Sequence, residues 1–235
     1  MVRGQIIAVG GGGFSAGSEP GLDQYVLEQC QSSKPGIGFL ATATGDSDSS
    51  LLKFYTRFAS LNCRPSHLPL FHRTPKVVDW IQEQDVIYVG GGNTKSMLAV
   101  WEAWELPGLM KQAAENGTIL AGVSAGAICW FNSGVTDSNE SILAPLDCLG
   151  FIEGSCCPHY RMDPERKPTY EHLVGTGKIS DGIAIDDGAA VHFIDGKARW
   201  VVSGCTGASS YEVCLSSGSI LTRPIASADV IDVAS

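Results

Sequence analysis

The sequence predicts an α/β fold, a mostly parallel sheet flanked by helices with antiparallel additions toward the C-terminus. Three observations carry this prediction. Short apolar, β-prone runs recur at 6–9, 36–43, 85–89 and 118–121. Segments of helical spacing separate them through short connections, the pattern of parallel βαβ units covered on both faces. Two of the runs end in glycine clusters, at the strand ends where such sheets bind ligands.

Taken in order, Ile6-Ile7-Ala8-Val9 is a short strand running into Gly10-Gly11-Gly12-Gly13. Residues 22–29 have helical spacing, and 36–43 is again a buried strand. Residues 48–60 read as an amphipathic helix and 76–84 as a second. Asp85-Val86-Ile87-Tyr88-Val89 is a strand ending in Gly90-Gly91-Gly92, and 94–101 and 109–115 are helical before the strand at 118–121. After about residue 140 the pattern loosens into shorter strands such as 189–194 and 199–202, expected as antiparallel additions to the same sheet. No linker, repeat or low-complexity tract interrupts the chain, so 1–235 reads as a single domain.

A chain of 235 residues can bury a substantial core, and 44% hydrophobic content with 28 glycines fits a soluble α/β protein. A net charge of −9 argues against nonspecific binding to nucleic acid or anionic membranes. The first seven residues carry one charge and too short an apolar run for a signal peptide, and no stretch approaches the roughly 18 apolar residues of a membrane span. A cytoplasmic location is expected. Without a secretory signal the eight cysteines lose the case for a disulfide framework. No C-x-x-C pair occurs and Cys156-Cys157 are adjacent, a poor spacing for zinc, so small buried thiols are expected.

The most informative stretch is Gly122-Val123-Ser124-Ala125-Gly126, preceded by a β-prone run and followed by apolar, helix-prone residues. That is the strand–turn–helix context in which G-x-S-x-G acts as a nucleophile elbow. The turn exposes the serine hydroxyl at a helix start, and a side chain at Gly122 or Gly126 would clash with the neighbouring strand or helix. The Ala125 amide then points where an oxyanion would form. Gly90-Gly91-Gly92-Asn93-Thr94 follows a strand and opens a helix, with Asn93 or Thr94 suited to capping. Its free N–H groups make an anion cradle. No G-K-[ST] follows, so a second oxyanion donor is a better role than phosphate binding. The 10–13 run resembles a dinucleotide fingerprint only in part, because its third position is Ser15 and no acid ends the next strand.

A serine nucleophile needs a base. His159, fixed behind Pro158, is expected to project from a strand end. His67, His72, His172 and His192 sit where structural roles are expected. The orienting acid stays open among Asp137, Glu140, Asp147 and Glu153.

Val89-Gly90-Gly91-Gly92-Asn93-Thr94, Gly122 to Ala127 with Ile128-Cys129-Trp130, and Pro158-His159-Tyr160 follow the order and spacing of the peptidase E family of serine peptidases. That family includes aspartyl dipeptidases and, more distantly, cyanophycinases, and the resemblance runs from the Gly10 loop to Ser210-Tyr211-Glu212-Val213. It implies a fold like class I glutamine amidotransferases and a serine hydrolase of small peptides with a preference for N-terminal aspartate. It further implies Ser124 as nucleophile, His159 as general base, Gly92 and Ala125 as oxyanion donors, and Gly91 and Asn93 shaping the site. The family's acid lies between serine and histidine. Asp137 is the closest match, with Glu140 its rival because the local spacing departs from the dipeptidase pattern. Arg166 matches the arginine that holds the substrate aspartate, although the loop before it is shorter. No metal or organic cofactor is called for. A homodimer is compatible with the resemblance, while the chain itself says nothing of one. Two alternatives remain: a cyanophycinase-like hydrolase of β-aspartyl-arginine bonds, and a non-catalytic small-molecule binding protein on the same fold. A cysteine-dependent amidotransferase is disfavoured, because Cys129 lies one turn past the elbow.

Overall fold

The computed structural model describes residues 1–139, 142–225 and 228–234. In the first half, β1 (Gln5–Val9) leads through a short α1 (Gly13–Ala16) to α2 (Pro20–Glu28) and β2 (Gly36–Leu40). Then come α3 (Asp48–Phe58), β3 (Arg64–His67), α4 (Val77–Gln82), β4 (Val86–Val89), α5 (Thr94–Ala103), α6 (Leu106–Glu115), β5 (Ile119–Val123) and α7 (Ala125–Ile128). The second half holds β6 (Phe131–Asn139), β7 (Ile142–Asp147), β8 (Ile152–Cys157), α8 (Arg166–Gly175), β9 (Gly182–Ile185) and β10 (Ala189–Ile194). It closes with β11 (Lys197–Ser203), β12 (Ser210–Ser216), β13 (Ser219–Pro224) and β14 (Asp229–Asp232).

The expected helices and strands of the first half are present with ends shifted by up to three residues, and α1 and β3 join them unforeseen. The strand expected over 36–43 ends at Leu40, and a 3₁₀ turn at Thr42–Thr44 takes up the remainder.

Eight strands form one sheet in the order β14-β11-β10-β1-β5-β4-β2-β3. β1, β5, β4, β2 and β3 run parallel, and β10 pairs antiparallel with β1 and with β11. Alternate residues of β1 explain why this sheet is covered twice. Ile6 and Ala8 join one buried cluster, while Ile7 and Val9 join another on the opposite face. Phe14 of α1 packs edge-on against Phe39, Phe54, Phe58 and Tyr88, which anchors the glycine loop after β1 onto α3 and the sheet.

The later strands only partly follow expectation. β10 and β11 do add to the first sheet, but β13-β12-β9-β8-β6-β7 form a second, six-stranded one. The connection between Val123 and Phe131 explains this. α7 is four residues long, too short for the crossover of a dozen or more residues that would return the chain parallel to its sheet. β6 therefore starts a new sheet beside the old one. Phe131, Ile152, Cys156 and Ile185 share one buried cluster with Ile6, Ala8, Leu120 and Phe193, so the two sheets pack on common apolar side chains. No helix among the described residues is long and apolar enough to cross a membrane.

Candidate active site

Ser124 sits between the end of β5 and the start of α7 with φ 58° and ψ −111°, a strained backbone for a residue bearing a side chain. The turn is held from both sides. The Ser124 amide donates to Val9 O at 3.0 Å, and its carbonyl accepts from Ala127 and Ile128 at 2.9 and 3.0 Å. The flanking glycines permit the close approach. A Cβ on Gly122 would lie 2.3 Å from the Gly126 carbonyl oxygen, and one on Gly126 would lie 2.3 Å from that of Val89. The expected clash is therefore real at both positions. Cys129 is buried at the end of α7, with its thiol on the Gly126 carbonyl at 3.3 Å. Burial pushes its pKa well above the usual thiol range, so it is no thiolate at neutral pH.

His159 follows β8 with φ 55° and brings Nε2 to 2.8 Å from Ser124 Oγ. Its Nδ1 bonds Asp187 Oδ1. A carboxylate only accepts, so Nδ1 carries the proton and Nε2 is left to accept from the serine hydroxyl. This is the Ser-His-acid arrangement in which the acid fixes the tautomer. Gly11 makes room for it: a Cβ there would lie 1.9 Å from Asp187 Oδ1 and 2.8 Å from His159 Nδ1. The glycine run after β1 thus backs the imidazole–carboxylate pair.

The acid expected between serine and histidine is not the one the geometry provides. Asp137, near the end of β6, has an oxygen 3.8 Å from Arg166 Nη2, and the carboxylate on His159 is Asp187. Glu140 lies outside the described residues. Asp147 pairs in register with Ser133 at the start of β6, and Glu153 lies at the end of β8 away from His159. The resemblance points to an acid between serine and histidine, whereas Asp187 follows both, one of the several chain orders in which triads occur. A signal was present in Ile183-Ala184-Ile185-Asp186-Asp187-Gly188, an apolar run ending in acids and a glycine. Of those two acids, Asp186 is buried against Arg161 and the Ser209 amide, which leaves Asp187 facing the histidine.

Gly91 and Gly92 lie against the serine. A Cβ on Gly91 would be 3.2 Å from Ser124 Cβ. Gly92 has φ 136°, and a Cβ there would meet Ala43 O at 2.3 Å, so only glycine suits this turn. Among the described residues neither the Gly92 nor the Ala125 amide has an acceptor within the protein, which leaves both free for an oxyanion. Asn93 spends its side chain on structure. Oδ1 caps α5 at Ser96 N, 2.8 Å away, and Nδ2 reaches Ser138 O at 3.3 Å.

Arg166 is held inside the protein and not on an exposed loop. It is 6% exposed at the start of α8, donates to Val135 O at 3.2 Å, and places Nε 3.3 Å from Asp163 without hydrogen-bond alignment. It lines a cavity of about 400 Å³ together with Ser124, His159, Asp137, Asp163 and Gly92. The remaining histidines lie elsewhere. His67 takes the Tyr55 hydroxyl at 2.8 Å, His172 is in α8, and His192 is buried in β10. All eight cysteines are free, four of them buried. Among the described residues no group of three or more His, Cys, Asp or Glu could hold a metal ion.

The sequence model of peptidase family S51 matches residues 6–201. An uncharacterized peptidase of Bacillus subtilis (strain 168), YgaJ, is 47% identical over 225 residues, covering 94% of this chain and 96% of its own. Peptidase E of Pasteurella multocida (strain Pm70) is 28% identical over 138 residues, 54% of this chain and 58% of its own. A peptidase structure from an acI-B1 actinobacterium superposes with a TM-score of 0.71 at 19% identity, covering 95% of this chain and 98% of that one. A putative peptidase E of Listeria monocytogenes EGD-e gives 0.61 at 17% identity, covering 96% and 100%.

Proposed function

This chain belongs to peptidase family S51, and from that membership we propose a dipeptidase that prefers an N-terminal aspartate and works through Ser124, His159 and Asp187. The observation that carries the reading is the hydrogen-bonded chain from Asp187 through His159 to Ser124, opening on the cavity that Arg166 lines.

In the first step His159 Nε2 takes the Ser124 proton as Oγ attacks the scissile carbonyl carbon. The Gly92 and Ala125 amides stabilise the oxyanion, and each such donor is typically worth ~10²–10³ in turnover. The imidazolium, steadied by Asp187, then protonates the leaving amine as the C–N bond breaks. Water, deprotonated by His159, cleaves the acyl-enzyme and restores the serine.

The specificity follows from charge. A dipeptide that begins with aspartate carries a carboxylate and an ammonium beside its scissile bond. The cavity wall offers a buried guanidinium flanked by two carboxylates, Asp137 and Asp163. Arg166 would take the substrate carboxylate in a charge-assisted bond, and Asp137 would take the ammonium. Hydrolysis of Asp-Leu, Ala-Leu, Glu-Leu and β-aspartyl-arginine by wild type and Arg166→Met tests this. Wild type is expected to favour Asp-Leu, and the variant to raise its KM roughly 10- to 100-fold while Ala-Leu changes little. A preference for Ala-Leu, or for β-aspartyl-arginine, would remove the aspartate assignment.

A further inference from the structure

The cavity that holds Arg166 is one of two that meet at Ser124. The second, about 380 Å³, shares Gly92, Ser124, His159 and Asp187 with the first and then diverges toward Phe14, Thr44, Ser50 and Lys53. Its charged lining is limited. Apart from His159 and Asp187, which are bound to each other, the charge on its wall is Lys53. Lys53 lies on α3 and donates Nζ to Ser15 O at 2.8 Å, tying α3 to α1 and the glycine loop that leads into it. It forms no ion pair among the described residues. An ammonium has three donors, so two remain for a ligand. The Ser50 and Thr44 hydroxyls, 3.0 Å apart, lie on the same wall.

We infer that Lys53 forms a carboxylate subsite that holds the free C-terminus of the departing amino acid. The inference rests on the dipeptidase reading above. If the acyl half of the substrate occupies the Arg166 cavity, the leaving half enters the second one. A single amino acid with a free carboxylate supplies the anion that an unpaired lysine calls for. Arg166 then selects the first residue and Lys53 ends the substrate at the second. Amides and longer peptides lack a carboxylate at that place and lose the contact.

The test compares Asp-Leu with Asp-Leu amide on wild type, Lys53→Gln and Lys53→Arg. Glutamine keeps a donor for Ser15 O without the charge, which separates positioning of the loop from recognition of an anion. Wild type is expected to favour the free acid by roughly 10-fold in kcat/KM, the low end for a hydrogen bond to a charged group because Lys53 is exposed. Lys53→Gln should bring the two substrates level by raising KM for Asp-Leu alone, and Lys53→Arg should keep the preference. Equal hydrolysis of acid and amide by wild type, or an equal loss on both in Lys53→Gln, would overturn the subsite and leave the dipeptidase intact. Hydrolysis of neither by wild type would remove the dipeptidase reading and the subsite with it.

Discussion

Asp137 and Asp187 sit at the ends of the two strands that flank β8. Gly134 of β6 is level with Cys156 and Ala184 of β9 with Cys157, which brings both aspartates close to the level of His159. A strand-end argument finds either acid and chooses neither. The choice is made by what stands opposite each: Arg166 against Asp137, and the bare backbone of Gly11 against Asp187. The two variants should therefore fail differently. Asp187→Asn is expected to lower kcat by about 10³–10⁴, as loss of a tautomer-fixing acid does, and Asp137→Asn to raise KM at nearly unchanged kcat. The reverse pattern in steady-state kinetics on Asp-Leu would return the acid's role to Asp137. Ser124 and His159 were legible because each is marked by its own neighbours, the elbow glycines and Pro158. Asp187 is marked by the apolar run before it, but its place beside His159 depends on a strand pairing that this run does not encode.

At the scale of elements, the strand, turn and helix around Ser124 could be read from residue order, since the glycine spacing and the apolar flanks are local. The length of α7 could not, because Trp130 and Phe131 are as apolar in a strand as in a helix. α2 shows the same division. Its helical spacing is local, whereas its attachment is not. Tyr25 donates its hydroxyl to His192 Nδ1 at 2.9 Å, and Nε2 of the same ring donates to Gln5 Oε1 at 3.0 Å. Burial lowers the His192 pKa from 6.5 to about 4. The folded protein therefore holds this ring neutral. The stability it contributes is complete above about pH 6.5 and is lost as pH falls through about 4, by up to about 3 kcal/mol. Asp23, on the same helix, has the opposite sign: burial raises it to about 6, so its contribution is lost as pH rises through that value. Denaturation of wild type beside His192→Phe between pH 7 and 4 isolates the histidine. The wild type should lose stability more steeply on acidification. Parallel curves would show that His192 does not couple α2 to pH.

The whole molecule places its chemistry where two sheets meet. Ser124 comes from the C-terminal end of β5 in the first, His159 from the end of β8 in the second, and Asp187 from the link between β9 and β10 that joins them. The parallel first sheet, its two covered faces and its ligand-binding strand ends follow from alternation of apolar and helical segments. The second sheet was hidden because no local pattern marks where the chain leaves the first sheet after α7, and its strands then pair among themselves, as β8 does with β6 and β9. Arg166 and Lys53 line two cavities that share Ser124, and the proposed two-residue substrate places one charged end in each. A serine peptidase site at this junction depends on the Ser124 hydroxyl, so the measurement to make first is hydrolysis of Asp-Leu by Ser124→Ala, with its melting temperature recorded beside wild type. Loss of the Ser124 hydroxyl should lower kcat at least ~10⁴-fold with the melting temperature nearly unchanged, whereas a folded variant that still cleaves Asp-Leu at the wild-type rate would rule out Ser124 as the nucleophile.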